Sequence, residues 1–505
     1  MKSLTFWKAM ENNLPKGWST CSLGDSLVYI IGGDWGKDLS IGLPSNFEKA
    51  KVIRGTDYKN WNTVKAKNAS IRLIKKDSVA KRKLQKGDIV VEVSGGGPDQ
   101  PVGRTVIICE SLLKEELPII CSNFSRQMRV SPFLNPFYIN YFLTYSYSLG
   151  SFNDLQTQTT NLRNLNVNDF LTKTIVPIPP ISEQNSIVAK LDSLFEKIES
   201  NKQRLENIPQ ILKRFKQSVI AAAINGRLTE DWRKVNVELE SAKQLIYRIH
   251  EQRGANTKSN KLKNKMNIDF SQTQFEKNMF DMNKNIPDSW TFTRIGDVSE
   301  CLDYKRRPIN KSEREKRKGN IPYYGANGQV GWIDNYLFDE NLIVIVEDET
   351  FVGREIPFSY IIRDKTWVNN HAHVLRPLGG ITVEYLNLCF SYYDFTSLTS
   401  GTTGRRKLTQ EALLNAEFAI AGLQEQHEIV RRVEQLFEVA DKIESRYNQA
   451  RAMLEKLPQS ILAKAFRGEL VPQDPNDEPA NALLERIRSE KAGPHPQSKK
   501  KKESS

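Results

Sequence analysis

Two short constellations suited to chemistry occur twice in this chain. Val102-Gly103-Arg104 is matched by Val352-Gly353-Arg354, and Thr159-Thr160 with Asn161 and Arg163 by Thr402-Thr403 with Arg405-Arg406-Lys407. Forked guanidinium and amide donors read base edges, whereas cations, hydroxyls and backbone amides hold phosphates in register. The arginines Arg104 and Arg354 follow equivalent strands and read either as DNA contacts or as surface arginines in a hairpin. The threonine-and-cation loops read as phosphate grips. Asn123 with Arg126, and Asn369-Asn370-His371, supply donor and acceptor groups of the kind that read bases. Tyr324 is expected to pack within its module and Asn327 to stand in an exposed turn, so contact with DNA stays open for both.

The groups needed for covalent chemistry do not assemble. A DNA methyltransferase needs a cofactor-binding glycine motif after a strand and an Asn/Asp-Pro-Pro-aromatic motif for the flipped base. Asn135-Pro136-Phe137-Tyr138 lacks the second proline and reads as a helix start. Ser94-Gly95-Gly96-Gly97-Pro98 is not followed by Gly-Lys-Ser/Thr, so it is no nucleotide loop. Pro98-Asp99 and Pro287-Asp288 lack the downstream Glu-x-Lys of a nuclease. Cys21, Cys109, Cys121, Cys301 and Cys389 show no CxxC and no zinc spacing, and His371 and His373 have no ligand set near them in sequence. The expectation is a chain with no catalytic residue and no metal.

Long helices must position these groups. Leu191, Leu194, Ile198, Asn201, Leu205, Ile208, Leu212, Phe215 and Val219 recur three and four apart, as do Val433, Leu436, Ala440, Ile443, Tyr447, Ala450, Leu454, Leu457 and Ile461. Each stripe is a heptad seam, and each is the natural partner of the other, with Asn201 as a polar register point. An antiparallel pair is favoured, and about 42 helical residues would span roughly 63 Å. Pro209 and Pro458 should kink the helices. The helices belong to a duplication. Glu183-Gln184 recurs as Glu425-Gln426 and Gly226 as Gly468, each 242 residues on, whereas Pro15, Trp18 and Asp25 recur as Pro287, Trp290 and Asp297, each 272 on. Each half is therefore a globular α/β module followed by a long helix. With 505 residues, 39% hydrophobic content and a net charge of +13, the chain can build full cores and favours a polyanionic partner. No apolar run approaches a membrane span, and Met1 to Lys8 holds no signal sequence, so a cytoplasmic protein away from membranes is expected.

The chain resembles the DNA-specificity subunits of Type I restriction-modification systems. The resemblance rests on Val176-Pro177-Ile178-Pro179-Pro180-Ile181-Ser182-Glu183-Gln184 at the start of the first helix and Leu457-Pro458-Gln459-Ser460 through Gly468-Glu469-Leu470 at the end of the second. Pro287-Asp288-Ser289-Trp290 and Ile321-Pro322-Tyr323-Tyr324-Gly325-Ala326-Asn327-Gly328 add to it. The resemblance implies an α+β fold with two target-recognition domains, 1–180 and 286–421. These would be separated by two helices, 181–232 and 422–470, forming an antiparallel coiled coil. A short helix and polar linker (233–285) and a short helix and basic tail (471–505) complete the plan. It implies that the chain binds double-stranded DNA at a bipartite site and docks two methyltransferase subunits and restriction/translocase subunits. Those partners would use S-adenosylmethionine, ATP and Mg; this chain would bind no cofactor. The second copy departs from the pattern, with Ala419-Ile420-Ala421-Gly422-Leu423 in place of the proline-rich entry. The alternatives are a self-contained fused modification-restriction enzyme and a coiled-coil DNA scaffold without sequence preference.

Overall fold

The computed structural model describes residues 14–256 and 286–492, apart from 60, 97–99, 115, 159–161, 350, 352–353, 355 and 402–405. The first module runs through β1 (Ser19–Ser22), β2 (Leu27–Gly32), β3 (Phe47–Ile53), β4 (Ser70–Lys75), helix α1 (Lys76–Arg82), β5 (Ile89–Glu92), β6 (Ser94–Gly95), β7 (Thr105–Ile107), β8 (Ile119–Cys121) and β9 (Ser125–Val130). Helix α2 (Pro136–Ser148), β10 (Gln156–Gln158), β11 (Arg163–Leu165) and β12 (Ile175–Ile178) complete it. Asn135 caps α2 as expected, its side-chain oxygen accepting from the N–H groups of Phe137 and Tyr138.

After α3 (Ile181–Glu206), α4 (Ile208–Ile224) and α5 (Ala242–Asn256), the second module comprises β13 (Thr291–Arg294), β14 (Ser299–Cys301), α6 (Lys311–Lys316), β15 (Ile321–Gly325), β16 (Gly328–Ile333), β17 (Phe338–Asp339), β18 (Leu342–Val346) and β19 (Asp348–Glu349). It continues through β20 (Ser359–Ile362), β21 (Lys365–Val368), β22 (Ala372–Pro377), α7 (Val383–Ser391), β23 (Arg406–Lys407) and β24 (Glu417–Ile420). The last elements are α8 (Leu423–Phe466) and α9 (Ala480–Ala492).

The two modules repeat one topology. A four-stranded antiparallel sheet in the order β2-β9-β5-β7 recurs as β14-β22-β18-β20, and a smaller sheet β4-β3-β8 as β16-β15-β21, with β17 added in the second module. In both smaller sheets one pair is parallel, β3 with β8 and β15 with β21. Strands β5 and β18 are buried on both faces, which is why they read as unbroken apolar runs. Ile89 and Val91 face α2, while Val90 faces the smaller sheet with Ile53 and Cys121. Ile343 and Ile345 likewise join the cluster of α7, and Val344 joins that of Val368.

The chain divides into two units, 1–205 with 449–505 and 206–448. In the first, Ile187, Val188 and Leu191 of α3 share a core with Leu462, Ala465 and Phe466 of α8. Phe466 is ringed by Tyr138, Phe142 and Tyr145 of α2, with centroids 5.3–5.5 Å away. In the second, Val219 and Ala223 of α4 join Ile429 and Val433 of α8. There Lys216 pairs with Asp441 at 2.8 Å, and Asp231 with Arg432 at 2.6 Å. The first chain segment advances from 216 to 231 as the second retreats from 441 to 432, so the pairing is antiparallel.

Three details differ from the sequence reading. The first long helix is two helices, broken at Asn207 with Pro209 in the first turn of α4, whereas α8 continues through Pro458. Asn201 is exposed, and Ile443 and Leu457 are 43% and 39% exposed, so these three lie outside the buried seam. A two-helix seam buries only side chains that point at one partner, and a straight helix drifts about 20° per heptad from a 3.5-residue repeat, carrying part of the stripe outward. Leu191, Ile198, Leu212 and Val433 are buried, and Leu194, Leu205, Leu436 and Leu454 half-buried. Third, the entry to α8 matches that to α3 despite lacking the prolines: Gln184 and Gln426 each donate a side-chain N–H at 2.9 Å, to the carbonyls of Pro179 and Ala421. The polar connection 257–267, residues 268–285 and the tail beyond 492 lie outside the described residues.

Candidate nucleic-acid interface

Three repeated backbone hydrogen bonds align the ends of the two modules. The N–H of Val93 reaches the carbonyl of Phe124 at 2.9 Å, and that of Glu347 the carbonyl of His371 at 3.1 Å. Leu165 N–H to Val93 O is repeated by Leu408 to Glu347, both at 2.8 Å, and Ser122 N–H to Ile53 O (2.9 Å) by Asn369 to Tyr324 (3.1 Å). Asn123 and Asn370 therefore occupy one position, and Phe124 and His371 the next. All four are exposed.

In the second module, the structure brings three predicted segments to one edge. Asn369 lies against Gly325 at the end of β15, beside the exposed turn carrying Asn327. Tyr324 stacks on Tyr360 with centroids 5.7 Å apart, so it supports the turn from within the module. His371 pairs through Nδ1 with Asp348 at 2.8 Å, and Asp348 stands opposite Lys407 in the β19–β23 pair, where Glu349 stands opposite Arg406. Arg406 also donates to the Thr399 carbonyl at 3.3 Å. In the first module, Arg163 stands opposite Gly95, next to Ser94, whose N–H also reaches Phe124 O at 3.2 Å. Arg126 is half-buried against Gly32, and its Nε has no hydrogen-bond partner among the described residues. Thr159, Thr160, Thr402, Thr403 and Arg405 lie outside the described residues.

Arg104 and Arg354, read from the sequence either as DNA contacts or as surface arginines in a hairpin, both make contacts within their own module. The guanidinium of Arg104 forks onto Glu92 at 2.7 and 2.8 Å, donates to Gly55 O at 2.9 Å and lies over the Tyr58 ring. A fork already closed on a buried carboxylate has no free pair of donors for a guanine, so Arg104 braces the loop after β3 instead. Arg354 donates to the Pro357 carbonyl at 2.9 Å and lies over Phe358.

Below the second module's edge lies a buried ionic network that local spacing did not reveal. His373 contacts Asp303 through Nδ1 at 2.5 Å and the Leu408 carbonyl through Nε2 at 2.8 Å. Arg306 pairs with Asp303 at 3.0 Å and with Glu347, to which Lys407 adds a 2.8 Å pair. Burial alone would raise the Asp303 and Glu347 carboxyls. The His373 contact for the first, and Lys407 and Arg306 for the second, leave both below the ordinary carboxylate range. Cys301, Asp303 and His373 thus converge within 4.8 Å, a metal-ligand type of grouping absent from the sequence reading. Both His373 nitrogens and the Asp303 carboxylate are already engaged within the protein, and the Arg306 cation sits where a metal ion would compete.

Sequence reasoning also missed Phe124, which is 50% exposed. It stands 247 positions before His371, an offset shared with neither repeat, because insertions of different length separate the strands of the two modules.

A family model for the Type I restriction modification DNA specificity domain matches residues 15–210 and 287–450. The Salmonella potsdam StySPI specificity subunit is 28% identical over 501 residues, covering 95% of this chain and 97% of its own. The EcoBI specificity subunit of Escherichia coli is 33% identical over 358 residues, and the match spans 64% of this chain and 65% of that relative. The crystal structure of the HsdS subunit from Thermoanaerobacter tengcongensis shares the fold, with a TM-score of 0.57 at 17% identity over 90% of this chain and 98% of that one. With the family model matching both modules, the whole of α3 and much of α8, this chain belongs to the Type I restriction-modification DNA specificity family.

Proposed function

We propose that the chain reads a split, asymmetric DNA sequence, one half-site per module, and docks methyltransferase and restriction subunits. Those partners would supply adenine methylation with S-adenosylmethionine and ATP- and Mg-dependent translocation and cleavage. The observation that carries this reading is the repeated frame of hydrogen bonds that presents Asn123-Phe124 in one module and Asn370-His371 in the other. The same strands deliver different side chains to equivalent places, as two independent readers of unlike half-sites require. Amide and imidazole groups suit base edges, and the exposed Phe124 ring offers apolar contact of the kind a thymine methyl accepts. Lys407, Arg126 and Arg163 supply cations beside them. The test is the modified motif mapped by single-molecule sequencing in cells carrying Asn370→Ala with His371→Ala. Discrimination should fall by about 1–3 kcal/mol per base pair lost, relaxing one half-site alone. A motif unchanged in both halves would remove these residues from recognition.

A further inference from the structure

The two modules cover the same sheet face with different basic helices. By the parallel register, Val52 opposite Ile120 in the first module corresponds to Tyr323 opposite Trp367 in the second. Val79 of α1 packs over Val52, Ile74 and Ile120. Over Tyr323 and Trp367 lie Ile309 and the guanidinium groups of Arg314 and Arg317, 4.8 and 4.9 Å from the two rings. Yet α1 follows β4, whereas α6 precedes β15. Neither helix has a sequence counterpart in the other module.

Charge follows the face and not the sequence position. Residues 75–83 hold five Lys or Arg against one Asp, while residues 334–341, at the corresponding place after β16, hold none against three Asp or Glu. Before β15 the sign reverses: residues 305–318 hold eight Lys or Arg against two Glu, and residues 33–46 before β3 hold one Lys against two Asp. Part of this charge is committed internally, as in Arg82 to the Gly32 carbonyl, Arg306 to Asp303 and Glu347, and Arg317 to Asp334. Lys75, Lys76, Lys81 and Lys83 in one module, and Lys311, Lys316 and Lys318 in the other, are exposed.

We propose that these two basic faces are equivalent phosphate-contacting platforms, one per module, that grip the DNA backbone independently of sequence. The proposal rests on the reading of the chain as a DNA-specificity subunit and adds a second site to the edge described above. Phosphate contacts carry no base information, so they require cations at a fixed place on the fold and leave open which element supplies them. Packing alone does not require lysines: Val79 and Ile309 would cover the sheet without them. A cationic face present in both modules of a chain with a net charge of +13 is complementary to a regular polyanion.

The test measures full-length chain binding to its mapped target duplex and to a scrambled duplex over a range of salt concentrations. One variant carries Lys311→Gln, Lys316→Gln and Lys318→Gln, another Lys75→Gln, Lys76→Gln, Lys81→Gln and Lys83→Gln. A control carries Lys243→Gln, Lys456→Gln and Lys464→Gln, which removes as much charge as the first variant, elsewhere on the chain. Each lost contact should lower the log–log salt slope by about 0.9, so by up to about three for the first variant and about four for the second, equally on both duplexes. The control should keep the wild-type slope, and all proteins the wild-type melting temperature. Unchanged slopes, or a control that shifts as much, would overturn the proposal. So would unchanged DNA binding with lost methyltransferase assembly, which would assign the faces to an acidic protein surface. Failure of the wild type to prefer its target over the scrambled duplex would instead refute the DNA-reading assignment.

Discussion

Glu183 and Glu425 each accept the indole N–H of the tryptophan that opens a module, Trp18 and Trp290, at 2.9 Å in both cases. Around them the two units diverge. Glu425 also accepts from Thr229 at 2.7 Å and pairs with Arg233, whereas the positions equivalent to Thr229 and Arg233 in the first unit are Val471 and Pro475. One carboxylate is neutralised by a cation, and the other is left to neutral donors. The same pattern holds at the reading edge, where the strand frame is kept while Asn123-Phe124 gives way to Asn370-His371. Duplication has preserved the bonds that fix where things stand and released the groups that stand there.

This contrast can be broken at its anchors. Glu425→Ala strands Arg233 without its partner and should cost the second unit about 3–5 kcal/mol. Glu183→Ala, which takes an acceptor only from neutral donors, the Trp18 indole and Gln473, should cost the first about 1–3 kcal/mol. Urea unfolding followed by tryptophan fluorescence checks both, and equal losses would erase the distinction. Phe466→Ala should cost about 3–4 kcal/mol because it empties a site ringed by three aromatic residues. Its counterpart Ile224, half-buried in the second unit, should lose about half as much on the same change.

A smaller effect at the Glu183 anchor depends on pH. Burial raises the Glu183 carboxyl above its ordinary value of 4.5, with the hydrogen bonds from Trp18 and Gln473 only partly opposing it. A carboxyl that holds its proton more tightly when folded contributes stability that is present below its ordinary range and lost as pH rises through the raised value. The wild type should therefore lose stability relative to Glu183→Gln between about pH 4 and the raised value, read as melting temperature against pH. Parallel pH profiles for the two proteins would show that the carboxyl does not titrate in that window.

How much of this was legible in the sequence depends on the distance over which each feature is encoded. The duplication, the helix stripes and the capped start of α2 follow from local spacing, and the structure holds all of them. Exposure of Asn201, Ile443 and Leu457 was not legible, because a heptad stripe records phase but not how much partner surface meets it. The bracing of Arg104 by Glu92 and the convergence of Asp303 on His373 depend on strand pairing, which brings together residues 12 and 70 positions apart. At the candidate site, Asn123, Asn370 and Asn327 stand exposed where expected, but Phe124 and the two basic faces needed the alignment of strands, since the offset between modules changes with each insertion.

The claim that the modules read independently is tested most directly by exchange. Residues 18–180 would be replaced with the corresponding module of another family member, and the modified motif mapped by single-molecule sequencing in cells that supply the partner subunits. One half of the motif should change to that of the donor, with the other half and the unread gap retained. A change in both halves would contradict the account.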